Sequence, residues 1–121
     1  MLEPGYRFTR HNTKFELVYI IPYATDGEPY LCVGEKGNGK HYAEWFNSSI
    51  LNNTPLSPSK SRRSPIGNKV REKNAIFRCK YEIVFVSSNK KKSYLCVSND
   101  GDYGNQTTYF TRWFSTNDLK Q

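Results

Sequence analysis

The sequence predicts an all-β protein made of two tandem small antiparallel β-barrels, which arise from an internal duplication and are joined by a basic, flexible linker. Three observations support this prediction. Blocks of sequence recur in the same order, the blocks have strand composition, and every change in their spacing falls between them. A strand that gains one residue turns its buried face outward, whereas loops tolerate length changes. The paired blocks are residues 15–20 and 81–86, 30–33 and 94–97, and 42–46 and 110–114.

The first copy consists of short strands separated by turn-forming residues. The Gly-x-basic-apolar pattern at 5–8 predicts an opening strand, and the β-branched and aromatic run at 16–20 predicts the next. Strands at 30–33 and around Trp45 follow, with a glycine-rich loop between them. A polar turn ending in an apolar residue, at 47–51, predicts one capped helical turn that plugs the barrel end.

The second copy repeats this order. Its strands are predicted at 67–70, 82–86 and 94–97 and around Trp113, and residues 115–119 predict the closing turn. Between the copies the chain is rich in Pro, Ser, Lys and Arg and has almost nothing apolar to bury. The predicted organisation is a first barrel at 1–51, a linker at 52–66 and a second barrel at 67–121.

Short, bent strands in units of about 50 residues favour a small barrel, the architecture that closes its own edges. The repeated blocks resemble tandem Tudor/KOW-like small-barrel repeats, and the Gly-x-basic-apolar openings are compatible with a KOW-type start. Such repeats are found in proteins that handle nucleic acid, transcription complexes or methylated tails. The resemblance therefore implies a binding protein built on two barrels.

Positive charge is concentrated in one segment. The formal net charge is +7, and residues 52–80 carry eight Lys and Arg against one acidic residue. A second cluster, residues 90–92, lies in the predicted hairpin loop of the second copy. A dense row of cations neutralises phosphates, and such binding weakens steeply with salt. The alternative is a solubilising linker that is kept open by its own repulsion.

The candidate nucleic-acid-binding residues are these cations together with one aromatic ring from each copy. They are Lys60, Arg62, Arg63, Lys69, Arg71, Lys73, Lys90, Lys91, Lys92, Phe46 and Phe114. Each phenylalanine follows a tryptophan, so one ring of each pair points outward on a strand and can stack on a base. The alternative places the tryptophans in the core and the phenylalanines between the two barrels.

Catalytic and metal chemistry are not expected. His11 and His41 are the only imidazoles, and they occupy non-equivalent positions without a nucleophile at suitable spacing. The three cysteines lack CxxC spacing, which argues against a disulfide framework or a zinc site and favours small buried hydrophobes. We predict that the protein is not an enzyme and that it needs no cofactor and no metal.

The predicted function is non-catalytic binding of nucleic acid, with duplex DNA favoured over RNA and phosphates as the main contacts. No apolar run approaches the ~20 residues that cross a bilayer, and the first residues lack the layout of a signal peptide. We therefore expect a soluble cytoplasmic protein with no membrane partner. The alternative is a protein-interaction module, a small adaptor or inhibitor of a host protein, encoded by a phage and acting in the host cytoplasm.

Overall fold

The chain forms two antiparallel β-sheets with little helix, which confirms the all-β prediction. It divides into two compact units, Met1–Arg62 and Arg63–Gln121, named unit 1 and unit 2. Within the described residues, no helix is long and apolar enough to cross a membrane. The computed structural model describes residues 2–22, 27–37, 39–58, 62, 64–74, 79–87, 93–99 and 109–120.

Unit 1 contains a four-stranded sheet whose strands are neighbours in chain order. His11 and Asn12 both have positive φ and form the two-residue turn that connects the first two strands, as in a primed hairpin. The elements are β1 Arg7–Arg10, β2 Thr13–Ile20, β3 Tyr30–Glu35, β4 His41–Phe46 and α1 Ser48–Asn52.

Unit 2 contains a five-stranded sheet with the order β8-β7-β6-β5-β9. Its strands are β5 Lys69–Glu72, β6 Tyr81–Ser87, β7 Ser93–Asn99, β8 Tyr109–Ser115 and β9 Leu119–Lys120. A 3₁₀ turn, Thr116–Asp118, joins the two edge strands. Five flat strands would hold their edges roughly 19 Å apart, whereas the chain from Ser115 to Leu119 reaches at most about 14 Å. The sheet must therefore be strongly curled.

The central strand pairs of the two units have the same register. The pairing of β2 with β3 contains one bulge at Val18, and the pairing of β6 with β7 contains one at Val84. In each unit the pairing resumes at the leucine of the repeated block, Leu31 or Leu95, and both leucines are fully buried. These two leucines thus occupy corresponding positions.

Each unit has a hydrophobic core cluster, and the two clusters, called the first and the second core, are built from matching positions. Helix α1 supplies the last residue of the first core, and β9 supplies the last residue of the second. In unit 1 the Phe15 ring lies 5.2 Å from those of both Phe8 and Phe46, measured between centroids. The core residues are Phe8, Phe15, Leu17, Cys32, Phe46 and Leu51 in unit 1, and Val70, Tyr81, Ile83, Cys96, Phe114 and Leu119 in unit 2.

The closing turns are capped as predicted. The Asn47 side chain accepts a hydrogen bond from the backbone N–H of Ile50 at 3.0 Å at the start of α1. At the 3₁₀ turn, the Ser115 hydroxyl accepts one from Asn117 at 3.5 Å. Each cap satisfies a backbone donor that the short helix itself leaves unpaired.

The opening strands also exist, although they begin two residues later than predicted. Gly5 and Gly67 precede them with φ of 106° and 96°, a conformation that favours glycine. Each glycine donates its N–H across the sheet, to Leu17 at 2.6 Å and to Ile83 at 2.8 Å. The glycine of the pattern therefore turns the chain into the strand and is not itself part of it.

The expected barrel closure is not found in the described part of the chain. Strands β4 and β8 are sheet edges there, and no backbone ladder joins either of them to the opposite edge. In unit 2 the 3₁₀ turn and the packing of the core bring the two sheet edges together. Strand β9 is only two residues long and pairs with β5 alone. In this part of the chain unit 1 is an open sheet and unit 2 is a curled open sheet.

The predicted linker at 52–66 is partly packed on unit 1. Leu56 contacts the first core, and Ser57 exchanges backbone hydrogen bonds of 2.8 and 2.9 Å with Arg7. The Thr54 hydroxyl donates to the carbonyl of Ile50 at 2.7 Å. Local composition did not indicate these contacts, because a single leucine and one bridging residue are enough to hold the segment.

Candidate nucleic-acid interface

Three cations share the outer face of β5 and β9 in unit 2. Val70 and Leu119 are buried, and since side chains alternate along a strand, Lys69 and Arg71 lie on the opposite, outer face. Arg71 is the cross-strand partner of Lys120, which places that lysine on the same face. Lys69, Arg71 and Lys120 are named the basic stripe. They bring positive charge from two distant parts of the sequence together.

The first cation of the stripe is balanced by a carboxylate. Lys69 Nζ lies 2.6 Å from Glu82 Oε1, with 68% of the lysine side chain exposed. An ion pair this exposed adds little to stability, so a phosphate can replace Glu82 at low cost. Lys73 follows β5 and is exposed, and its backbone N–H donates to the Asp118 carbonyl at 2.8 Å.

Arg62 does not have the open, solvated position expected of a phosphate ligand. Its side chain is only 18% exposed, its Nη2 lies 3.8 Å from Glu16 Oε2, and its Nη1 donates to the Val18 carbonyl at 3.1 Å. Burial raises the pKa of Glu16, while Arg62 and Arg7 beside it act in the opposite direction. Arg62 therefore attaches its segment to the first sheet, which corrects the expected role.

The two phenylalanines are core residues. Phe46 and Phe114 are each 4% exposed. The tryptophan and phenylalanine of each pair do face opposite ways, but the phenylalanine takes the inner face while Trp45 and Trp113 remain partly exposed. The expectation that Phe46 and Phe114 present stacking surfaces is therefore wrong.

Five of the predicted cations cannot be placed. Their role in binding stays a prediction based on charge density alone. Lys60, Arg63, Lys90, Lys91 and Lys92 lie outside the described residues.

A cleft of about 340 Å³ opens in unit 1. It lies between the β1–β2 turn, strand β4 and the start of α1, and it combines aromatic rings with charges of both signs. The Arg10 guanidinium carbon lies 5.9 Å from the centroid of the Phe46 ring at its base. The lining residues are Arg10, His11, Thr13, Phe15, Glu28, Tyr42, Glu44, Trp45, Phe46, Asn47 and Ile50.

In comparisons with known proteins, no family model, no curated protein and no solved structure matches the chain. The function is therefore argued from the arrangement of side chains. Two features of that arrangement were missed at the level of sequence. Lys120 joins the stripe only through its pairing with Arg71. The cleft had one signal in the sequence. Block 42–46 has Glu44 at the position where block 110–114 has Arg112, a residue of opposite charge.

Proposed function

We propose that this chain is a non-catalytic nucleic-acid-binding protein that holds duplex DNA mainly through its phosphates. The basic stripe is the observation that carries the proposal, because Lys69, Arg71 and Lys120 present three cations on one face of a sheet. They belong to a chain of net charge +7. Lysine and arginine on a regular element fix the backbone of a duplex without reading its sequence.

A duplex suits this protein better than a single strand. Binding of single strands depends on exposed rings on which successive bases stack; Phe46 and Phe114 are buried, and Trp45 and Trp113 are only partly exposed. Lys60, Arg63 and the cluster at 90–92 would add phosphate contacts to those of the stripe. Three free thiols suit a reducing cytoplasm.

We also infer that the two units derive from one duplicated unit of the Tudor/KOW-like barrel type. Matching core positions, one bulge at the same place in each unit, and the same glycine opening support the duplication. In unit 2, a 3₁₀ turn that links opposite edges of a curled sheet supports the barrel type.

The test is the salt dependence of binding, measured by fluorescence anisotropy of a labelled DNA duplex. Affinity should fall steeply between about 50 and 200 mM salt. Arg71→Ala and Lys120→Ala should each lower affinity equally for unrelated sequences, and each should flatten the plot of log K against log salt by up to about 0.9. Lys14→Ala, which removes an exposed lysine from unit 1, is the matched control and should change neither quantity.

A second variant works in the opposite direction. Glu82→Gln removes the carboxylate that lies 2.6 Å from Lys69, so it should raise affinity and steepen the salt dependence. Melting temperatures of the same samples verify folding. Binding that ignores salt, or that the stripe variants leave unchanged, would refute the proposal and favour a protein partner, whose apolar interface is nearly insensitive to salt.

A further inference from the structure

The two units carry opposite charges at two matching positions. Glu44 on β4 and Arg112 on β8 lie opposite the equivalent buried cysteines of the neighbouring strand. Arg10 and Glu72 end the first strand of each unit. Unit 2 thus has its carboxylate on the first strand and its guanidinium on the fourth, and unit 1 has the reverse.

In unit 2 the guanidinium is paired within the unit, with 56% of the arginine side chain exposed. Arg112 Nη1 lies 3.2 Å from Glu72 Oε1 and 2.9 Å from Oε2, and the guanidinium carbon lies 4.8 Å from the centroid of the Phe114 ring. A carboxylate and a ring face together hold one guanidinium, so unit 2 provides an internal example of guanidinium recognition.

In unit 1 the matching region is the open cleft. On the fourth strand of unit 1, Glu44 carries a carboxylate where Arg112 of unit 2 carries a guanidinium. Glu28 adds a second carboxylate to the lining of the cleft. Within the described part of the chain, neither glutamate forms an ion pair. Cations already lie against two of the rings that line the cleft, with Arg10 at 5.9 Å from Phe46 and the Lys36 ammonium at 5.2 Å from Tyr42.

The charge and the size of the cleft select the ligand. Glu44 and Glu28 attract a cation and repel phosphate, and Arg10 together with Lys36 beside Tyr42 offsets part of that attraction. A volume of about 340 Å³ is at the small end for binding pockets, and it suits one side chain better than an extended segment. A planar guanidinium can bond a carboxylate in two places and lie flat on a ring at the same time.

We propose that the cleft of unit 1 binds the guanidinium of an arginine side chain that a partner protein presents. Glu44 and Glu28 accept its hydrogen bonds, and the guanidinium replaces the Lys36 ammonium on the Tyr42 ring. Unit 2 lacks this site because Arg112, paired with Glu72, fills it from within the same unit, whereas in the described part of unit 1 Arg10 lies over Phe46 and forms no ion pair with Glu44. This binding goes beyond nucleic-acid recognition and does not depend on it.

The first experiment titrates the intact protein with N-acetylargininamide and follows the Tyr42 and Glu44 signals by NMR. Saturable binding is expected, and Glu44→Gln should weaken it about tenfold, since a charge-assisted hydrogen bond is lost. Glu44→Arg supplies the missing guanidinium from within the chain and should abolish binding while the fold is retained. N-acetyllysinamide, which has no planar fork, should bind more weakly.

A variant of unit 2 tests the same idea independently. Arg112→Ala empties the position that corresponds to the cleft, so the number of argininamide molecules bound per chain should rise from one to two. Guanidinium ion at low concentration should restore part of the melting temperature that this variant loses. If Arg112→Ala does not fold, the Glu44 variants still decide the proposal.

The identity of the bound group is tested with a short arginine-containing peptide and with guanosine monophosphate, whose neutral guanine base presents a similar planar pair of N–H donors to a carboxylate. A partner protein predicts that the peptide binds more tightly than argininamide and that the nucleotide does not bind in the cleft. Tighter binding of argininamide than of the peptide, preferred binding of the nucleotide, or unchanged affinity in Glu44→Gln would overturn the proposal. The DNA salt series on Glu44→Gln separates the two sites, because the basic stripe lies outside the cleft lining.

Discussion

The two equivalent cysteines are inaccessible, whereas the third is partly exposed. Cys32 and Cys96 are 0% exposed, and burial raises the pKa of both thiols, that of Cys96 to about 12. Because the thiolate is the reactive form, both should react slowly with a chromogenic thiol reagent in the native protein. Cys79 should react first, and all three should react fast in denaturant. Three equal native rates would contradict the burial described for unit 1 and unit 2.

Glu16 gives the stability of unit 1 a pH dependence with a defined sign. Burial raises its pKa above the ordinary 4.5 although two arginines oppose the shift. The folded state thus holds this proton more tightly than the unfolded state. The contribution of the carboxyl is complete below pH 4.5 and is lost as pH rises through the folded pKa.

The variant Glu16→Gln isolates the pH-dependent contribution of the Glu16 carboxyl to the free energy of unfolding. The free energy of unfolding of the wild type, relative to Glu16→Gln, should decline as pH rises from below 4.5 toward neutrality. Urea unfolding at a series of pH values measures the difference. A relative stability that instead rises with pH would mean that Arg62 and Arg7 outweigh burial.

At the scale of elements, the contact between β3 and β4 requires a glycine. A Cβ at Gly34 would lie 2.7 Å from Phe15 Cε1 and 2.8 Å from Tyr42 Cζ. The Phe15 ring is fixed in the core and cannot move away freely. Gly34→Ala should therefore lower the free energy of unfolding by about 1–3 kcal/mol.

Gly37 provides the matched control for that measurement. A Cβ there meets nothing within 4 Å, so Gly37→Ala should change stability by no more than about 0.5 kcal/mol. Denaturant midpoints of the two variants, obtained under the same conditions, make the comparison. Equal midpoints would show that Tyr42 and the sheet give way without cost.

The elements themselves were largely predictable from sequence, because strand composition, turn residues and helix caps are local. The inner or outer direction of Phe46 and Phe114 was not, since alternation says that neighbours face opposite ways but not which one faces the core. The bulges at Val18 and Val84 could not be predicted from the sequence either. An extra residue that both copies share leaves no difference in spacing to detect.

At the scale of the whole molecule, salt should have opposite effects on stability and on binding. A net charge of +7 on 121 residues destabilises the folded state through self-repulsion. Added NaCl screens this repulsion, so the melting temperature of the free protein should rise modestly while DNA affinity falls. Near the isoelectric point of about 9.4 the stabilisation should vanish. A melting temperature that falls with salt at neutral pH would show that ion pairs outweigh net repulsion.

The charge distribution predicted where to look for phosphate contacts but not which cations are available. Arg62 belongs to the densest basic segment, yet Glu16, distant in sequence, engages it. Lys120 is isolated in sequence and joins the stripe through strand pairing. The cleft depends on three separate segments meeting, and barrel closure depends on a few residues at the sheet edges. Such long-range properties leave no local signal.

The charge reversal between the units also bears on how the chain avoids misassembly. Two strands with the same Tyr-Leu-Cys-Val core and the same register are interchangeable partners while the protein folds, which invites mixed sheets and exchange between molecules. A sheet that combined β4 with β5 would set Glu44 near Glu72, and one that combined β1 with β8 would set Arg10 near Arg112. Like charges at close range penalise both mixtures. We therefore expect these four residues to favour pairing of each first strand with the fourth strand of its own unit.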